Sequence, residues 1–129
     1  MAKILVIDDD EQVRNYLNRL FQKLGHQVVL ASDGNDGCAQ ARDPAVQVIV
    51  TDLEMAGSMS GMDLVRALRK TRPQCPIVVA SGFPTDERLS ECEKLGIKDF
   101  LTKPFELSFL TAVLKRLLGS ENSGAGKVQ

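Results

Sequence analysis

Four short, mostly apolar runs in this sequence each end abruptly at a polar residue. They are residues 4–7 before Asp8-Asp9-Asp10, 48–50 before Thr51-Asp52, 77–80 before Ser81, and 100–102 before Lys103. Continuous apolar runs rich in β-branched residues are typical of strands that are covered on both faces of a sheet. Because ligands of open α/β sheets bind at the edge where the carboxyl ends of the strands meet, we expect these polar groups to lie together.

The segments between the runs carry apolar residues at helical spacing. Predicted strands at 4–7, 27–30, 46–51, 77–80 and 98–102 alternate with helices that end near Gly25, Ala41, Pro73, Gly96 and Gly119. In the last helix, Leu107, Leu110 and Leu117 recur on one face. Five successive strand–helix units predict an α/β fold, a doubly wound five-stranded parallel sheet with right-handed crossovers and helices on both faces.

The composition describes one ordinary domain and excludes several classes of function. A chain of 129 residues has the length of a single domain. The net charge of −1 offers no basic surface for direct binding of nucleic acid or of an anionic membrane. One His and three scattered Cys do not predict a zinc site or a disulfide framework. No apolar run approaches the roughly 20 residues of a membrane span, and no signal peptide is recognisable, so we expect a cytoplasmic protein.

The predicted strand ends bring together the groups that phosphoryl chemistry requires. Converging carboxylates repel one another unless a cation joins them, and hard oxygen ligands suit Mg²⁺, for which Mn²⁺ could substitute. We expect Asp9 and Asp52 to bind the metal directly and Asp8 to bind it through water. Lys103 and the Ser81 hydroxyl would neutralise and hydrogen-bond the oxygens of a phosphoryl group, which an Asp carboxylate can accept as an acyl phosphate.

The ordered set of these residues resembles the receiver domains of two-component response regulators. The matching residues are Asp8-Asp9 after the first strand, Asp52 after the third, Ser81 after the fourth, and Lys103-Pro104-Phe105 after the fifth. The resemblance extends to about Leu118 and implies a flavodoxin-like (βα)5 fold with strand order 2-1-3-4-5. We therefore assign a receiver domain to residues 1–119. Residues 120–129, which lack periodicity, are predicted to be a disordered tail or linker.

The resemblance implies a phosphorylation-switched signalling module, which is not an enzyme acting on an external metabolite. In this family a phosphohistidine of a sensor histidine kinase or phosphotransfer domain donates its phosphoryl group, in a Mg²⁺-dependent step, to the Asp that corresponds to Asp52. Ser81 would then move toward the phosphoryl group while Phe100 turns inward. This changes the surface of the fourth helix, fifth strand and fifth helix, which would bind an output protein, an effector domain or a second copy as a homodimer. The Lys103–Pro104 bond is expected to be cis.

The loop after Asp52 departs from the family pattern. Ala56 occupies a position where proline is usual, and residues 57–60 lengthen the loop before Gly61. The resemblance makes the backbone carbonyl of Glu54 a metal ligand. The acidic side chain of Glu54 would border the phosphoryl site, where it could slow or reposition small-molecule donors and attacking water.

Three other functions fit parts of the sequence. A degenerate receiver could act as a phosphorylation-independent interaction scaffold, which Glu54 and the lengthened loop leave open. A haloacid dehalogenase-like phosphatase places Asp-x-Asp after its first strand, as Asp8 and Asp10 do, but Gln12 does not fit the rest of that pattern. A flavin-binding module would need a phosphate loop rich in Ser, Thr or Gly where this chain has acids. The kinase and the output are left open, as is whether the receiver stands alone or belongs to a longer protein.

Overall fold

Strands and helices alternate along residues 2–57 and 59–123, the part of the chain that the computed structural model describes. The strands are β1 Lys3–Ile7, β2 Gln27–Ala31, β3 Val46–Asp52, β4 Ile77–Ser81 and β5 Asp99–Thr102. The helices are α1 Glu11–Lys23, α2 Gly34–Ala41, α3 Gly61–Thr71, α4 Asp86–Lys94 and α5 Leu107–Ser123. All neighbouring strands pair in parallel, in the order β2-β1-β3-β4-β5. The predicted fold class and strand order are confirmed.

The sheet separates two apolar layers, because successive side chains of a strand point to opposite faces. On β1, for example, Leu5 and Ile7 pack into one layer and Ile4 and Val6 into the other. Helices α2, α3 and α4 cover the first layer, and α1 and α5 cover the second. Strands buried on both faces explain why the strand segments read as continuous apolar runs.

Side-chain caps and glycines set most helix ends. The Thr85 hydroxyl accepts a hydrogen bond from the Arg88 amide and so caps the start of α4. Gly25 and Gly96, which follow α1 and α4, have φ angles of 91° and 77°, a conformation that glycine adopts without strain. Within the described residues, no helix is both long enough and apolar enough to cross a membrane.

The end predicted for the last helix is wrong. Helix α5 continues through Gly119 to Ser123. The φ angle of Gly119 is not positive, so this glycine does not provide the left-handed residue that ends α1 and α4. The tail predicted at 120–129 overlaps this helix in its first residues, and residues 124–129 lie outside the part of the chain that the structure describes.

The lengthened loop between β3 and α3 packs against the start of α2. Met55 and Met59 lie partly buried against the first apolar layer. A Cβ atom added to Gly34, the first residue of α2, would lie 1.8 Å from the carbonyl oxygen of Met59. This contact requires glycine, and it fixes where the loop passes over the edge of the sheet that carries the strand ends.

Candidate functional site

Three carboxylates meet at the ends of two adjacent central strands. Asp8 and Asp9 follow β1, and Asp52 is the last residue of β3. One oxygen from each of the three carboxylates can be chosen so that all three lie within 4.8 Å of one another. Asp8 and Asp52 are buried, whereas Asp9 is exposed and accepts a hydrogen bond of 3.4 Å from the amide of Ala56. The structure thus brings together the three acids that the sequence predicts at this edge.

Backbone amides orient the two buried carboxylates. The amide of Asp10 donates to Asp8 Oδ1 at 2.9 Å, and the amide of Glu54 donates to Asp52 Oδ1 at 3.3 Å. Asp10 has a different task, because its side chain accepts from the amides of Gln12 and Val13 and so caps α1. The third acid after β1 therefore belongs to the helix start.

Lys103 brings a cation to the buried carboxylates. Its Nζ lies 3.0 Å from Asp52 Oδ1 and 3.8 Å from Asp8 Oδ2. Partial burial opposes the charged form, but the hydrogen bond to Asp52 and the attraction of Asp52 and Asp8 raise the pKa of Lys103. The amide of Lys103 donates to the carbonyl oxygen of Ser81, and the Lys103–Pro104 peptide bond is cis, as the family resemblance implies.

Burial also opposes the charged form of Asp8, which for an acid means a higher pKa. Removal from water raises its pKa, although the Asp10 amide and the charge of Lys103 partly offset this rise. The neighbouring charges of Asp52 and Asp9 raise the pKa further. Repulsion among the acids therefore remains with Lys103 in place, and a divalent cation bound by hard oxygen ligands would relieve it. The donor chemistry of the cluster fits Mg²⁺.

The Ser81 hydroxyl is engaged elsewhere in this structure. Ser81, the last residue of β4, is fully buried, and its Oγ donates to Glu54 Oε2 at 2.6 Å. Ser81 Oγ also accepts from the amide of Phe83 at 2.9 Å and from Arg88 Nη1 at 3.0 Å. None of its hydrogen bonds in the described part of the chain is to Asp52. Of the predicted phosphoryl-binding groups, Lys103 contacts the acids directly and Ser81 does not.

Arg88 is a residue of the site that the sequence analysis missed. Its Nη1 lies 2.9 Å from Glu54 Oε2, and Glu54 Oε1 accepts from the amide of Gly82 at 2.7 Å. Partial burial opposes ionisation of Glu54, but the hydrogen bonds from Ser81, Gly82 and Arg88 lower its pKa. One signal was available: a cation in the first turn of a helix is disfavoured by the helix dipole, so Arg88 needs a specific partner.

The aromatic residues near the strand ends differ in exposure. Phe100, on β5, is half-buried and packs against the layer that α2, α3 and α4 cover. Its inward movement on phosphorylation stays a prediction. Phe105 packs against the opposite layer, whereas Phe83 is 66% exposed in the segment between β4 and α4. Phe83 is therefore available for contact with another molecule.

Comparison with known proteins agrees with this arrangement. Residues 4–115 match the family model described as the response regulator receiver domain. The chain is 32% identical over 115 residues to the transcriptional regulatory protein ZraR of Salmonella typhimurium. This match covers 89% of this chain and 26% of ZraR. The chain is 32% identical over 120 residues to protein PilH of Pseudomonas aeruginosa, covering 92% and 98% of the two chains.

The same agreement holds for solved structures. Chemotaxis protein CheY4 of Vibrio cholerae is similar with a TM-score of 0.81 and 31% identity, covering 92% of this chain and 99% of that one. Neither the family model nor the solved structure favours the phosphatase or the flavin-binding alternative. The chain spans about a quarter of the length of the ZraR regulators that it matches.

Proposed function

The chain belongs to the response regulator receiver family, whose members are signalling switches, and on that premise we propose that Asp52 is its phosphoacceptor. Receiver domains interact with histidine kinases and output domains and generally use Mg²⁺. The observation that carries the proposal is the position of Asp52. Its buried carboxylate lies at a strand end, beside two other acids and 3.0 Å from Lys103 Nζ.

The proposed reaction is a displacement at phosphorus. One carboxylate oxygen of Asp52 attacks the phosphorus of a phosphohistidine, and the new O–P bond forms as the P–N bond breaks. The electron pair of the P–N bond leaves with the imidazole, which takes up a proton from water. Catalysis of such a transfer is mainly positioning and charge stabilisation, and the ammonium group of Lys103 is placed to stabilise charge on the transferred oxygens.

Asp8, Asp9, Asp52 and the backbone carbonyl of Glu54 are the proposed holders of Mg²⁺. Asp9 is exposed, so it can exchange the amide of Ala56 for a cation without leaving a buried group unpaired. When bound, the ion supplies positive charge opposite the oxygens of the phosphoryl group. Mn²⁺, which accepts the same oxygen ligands, would serve in its place.

The partners follow from the family and are part of the proposal. We propose a sensor histidine kinase or a phosphotransfer domain as donor, and an output protein or effector domain that reads the surface of α4, β5 and α5. Homodimerisation through the same elements is a second use of that surface. ZraR is a transcriptional regulatory protein, but this chain matches only 26% of its length, so the likeness to ZraR does not identify the output of this chain.

Intact mass after incubation with phosphoramidate and Mg²⁺ tests the acceptor assignment. We expect the wild-type chain to gain one phosphoryl group, to require Mg²⁺ for it, and to lose the gain in Asp52→Asn. Asp10→Asn is the matched control: it also removes one acid from this edge, and asparagine can still cap α1.

Full labelling of Asp52→Asn would refute the acceptor assignment. If phosphoramidate labels nothing, the incubation is repeated with a phosphorylated histidine-kinase domain, because Glu54 borders the site and can exclude small donors. Absence of labelling there as well would favour the scaffold function over the phosphoacceptor.

A further inference from the structure

Glu54 and Arg88 hold the hydroxyl group of Ser81 in a hydrogen-bond network outside the acid cluster. We propose that this pair is a latch that keeps Ser81 from the phosphoryl group and so opposes phosphorylation of Asp52. The inference rests on the proposed function, in which the Ser81 hydroxyl donates to a phosphoryl oxygen on Asp52. Glu54 and Arg88 then act as positioning residues through Ser81.

The hydrogen-bonding capacity of Ser81 is already used. A serine hydroxyl has one hydrogen to donate and two lone pairs to accept with. Ser81 donates to Glu54 Oε2 and accepts from the amide of Phe83 and from Arg88 Nη1. Because its single hydrogen points to Glu54, Ser81 can donate to a phosphoryl oxygen only after it has released this carboxylate. The 2.6 Å separation, to a charged acceptor, is that of a strong hydrogen bond.

Other groups hold the Glu54 carboxylate in the position that Ser81 needs. Arg88 Nη1 lies 2.9 Å from the same oxygen that accepts from Ser81, and the amide of Gly82 donates to the other oxygen at 2.7 Å. Arg88 also donates to the carbonyl oxygen of Phe83 at 3.0 Å, within the segment between β4 and α4. Both carboxylate oxygens are therefore fixed, and the latch joins the loop after β3 to the first turn of α4.

A simpler effect of Glu54 must be separated from the latch. A carboxylate near the phosphoryl site repels any incoming anion, whether or not it holds Ser81. The two effects differ in their dependence on Ser81. Charge repulsion acts equally with and without the Ser81 hydroxyl, whereas a latch has nothing to release once that hydroxyl is absent.

A double-mutant cycle between Glu54 and Ser81 measures this difference. The measured quantity is the affinity of the full chain for beryllofluoride in the presence of Mg²⁺, determined by calorimetry. Beryllofluoride is suitable because, when it is bound to an Asp carboxylate, it resembles an acyl phosphate. Binding must break the hydrogen bond between Ser81 and the charged Glu54, and Glu54→Ala removes that cost. We therefore expect Glu54→Ala to tighten binding roughly tenfold when Ser81 is present. In the Ser81→Ala background, the same change should alter the affinity by less than about twofold.

Two further variants sharpen the comparison. Glu54→Gln removes the charge but keeps an oxygen that can accept from Ser81, so it should tighten binding less than Glu54→Ala does. Glu87→Ala removes a charge from an exposed acid in the first turn of α4 that has no hydrogen bond to Ser81, and it should leave the affinity unchanged.

If Glu54→Ala tightens beryllofluoride binding equally with and without the Ser81 hydroxyl, the effect is due to charge and the latch is overturned. The latch is also overturned if Glu54→Ala does not tighten binding when Ser81 is present. The proposed function fails separately. If Asp52→Asn binds beryllofluoride as the wild type does, or if no variant binds it, the acceptor assignment is wrong and the latch is wrong with it.

Discussion

Lys103 reaches across the end of β4 to Asp52. The two residues belong to the ends of β5 and β3, which β4 separates in the sheet, and Lys103 Nζ lies 3.0 Å from Asp52 Oδ1. The hydrogen bond from the Lys103 amide to the carbonyl oxygen of Ser81 fixes the start of this span on β4. The position of the cation is thus determined by three neighbouring strands.

Replacement of Lys103 tests this relationship. We expect Lys103→Met, which keeps an unbranched side chain but removes the charge, to weaken binding of beryllofluoride with Mg²⁺ by at least about tenfold, because the cation that faces the anion is lost. Lys98→Met is the control, since Lys98 is an exposed lysine just before β5. Equal affinity of the Lys103 variant and the wild type would remove Lys103 from the phosphoryl site.

Metal binding should depend on Asp9 and not on Asp10, the next residue along the chain. We expect Asp9→Asn to lower the affinity for Mg²⁺ by at least about tenfold in a calorimetric titration, because it removes a negatively charged oxygen ligand from the cluster. Asp10→Asn should leave the affinity close to that of the wild type, since the Asp10 side chain caps α1. A titration of Asp9→Asn that coincides with the wild-type curve would place the metal elsewhere.

Two glycine-to-alanine changes should have opposite effects on stability, because Gly34 packs against the loop after β3 whereas a Cβ atom at Gly119 would enter open space. Gly34→Ala places a Cβ against the backbone of Met59, so we expect the free energy of unfolding to fall by about 1–3 kcal/mol. Gly119 lies within α5, and an added Cβ there meets no atom within 4 Å, so Gly119→Ala should raise it by about 0.5–1 kcal/mol. Urea denaturation measures both changes, and stabilisation by Gly34→Ala would show that the loop does not pack as described.

We expect His26 to cause part of the pH dependence of the free energy of unfolding. Burial lowers the pKa of His26, and its Nδ1 accepts a hydrogen bond of 3.2 Å from the amide of Ala2, which requires an unprotonated nitrogen. The unfolded chain therefore binds this proton at higher pH than the folded chain does. The contribution of neutral His26 to the free energy of unfolding is fully present above the pKa that His26 has in the unfolded chain. This stability is lost as the pH falls from about 7 toward 5.

His26→Gln isolates this contribution, because carboxylates that titrate in the same range are unchanged. We expect the free energy of unfolding of the variant, measured in urea at several pH values, to fall less steeply over this range than that of the wild type. Parallel curves would show that the proton on His26 does not affect folding.

Much of the fold follows from local patterns in the sequence. Continuous apolar runs such as residues 48–50 identify strands covered on both sides, and their alternation with amphipathic helices leaves a doubly wound parallel sheet as the expected arrangement. The end of α5 could not be read in the same way. Gly119 resembles a stop in the sequence, but whether a glycine ends a helix depends on its backbone conformation, and here the helix continues to Ser123.

Part of the candidate site also follows from local sequence patterns, and part does not. Asp8, Asp9 and Asp52 could be placed together from the sequence, because residues at the carboxyl ends of parallel strands share one edge whatever the details of packing. The sequence also placed Glu54 beside them. It did not show that Glu54 holds Ser81, nor that Arg88, 34 positions further along the chain, holds Glu54.

The sequence by itself determined which residues reach the edge of the sheet, because strand direction and periodicity are local properties of the chain. Only the tertiary structure decided which partners those residues choose there. Ser81 lies at the predicted strand end, yet its hydroxyl pairs with Glu54 and Arg88 and not with Asp52. That choice depends on side-chain rotations and on distances between segments far apart in the chain, which no local pattern encodes.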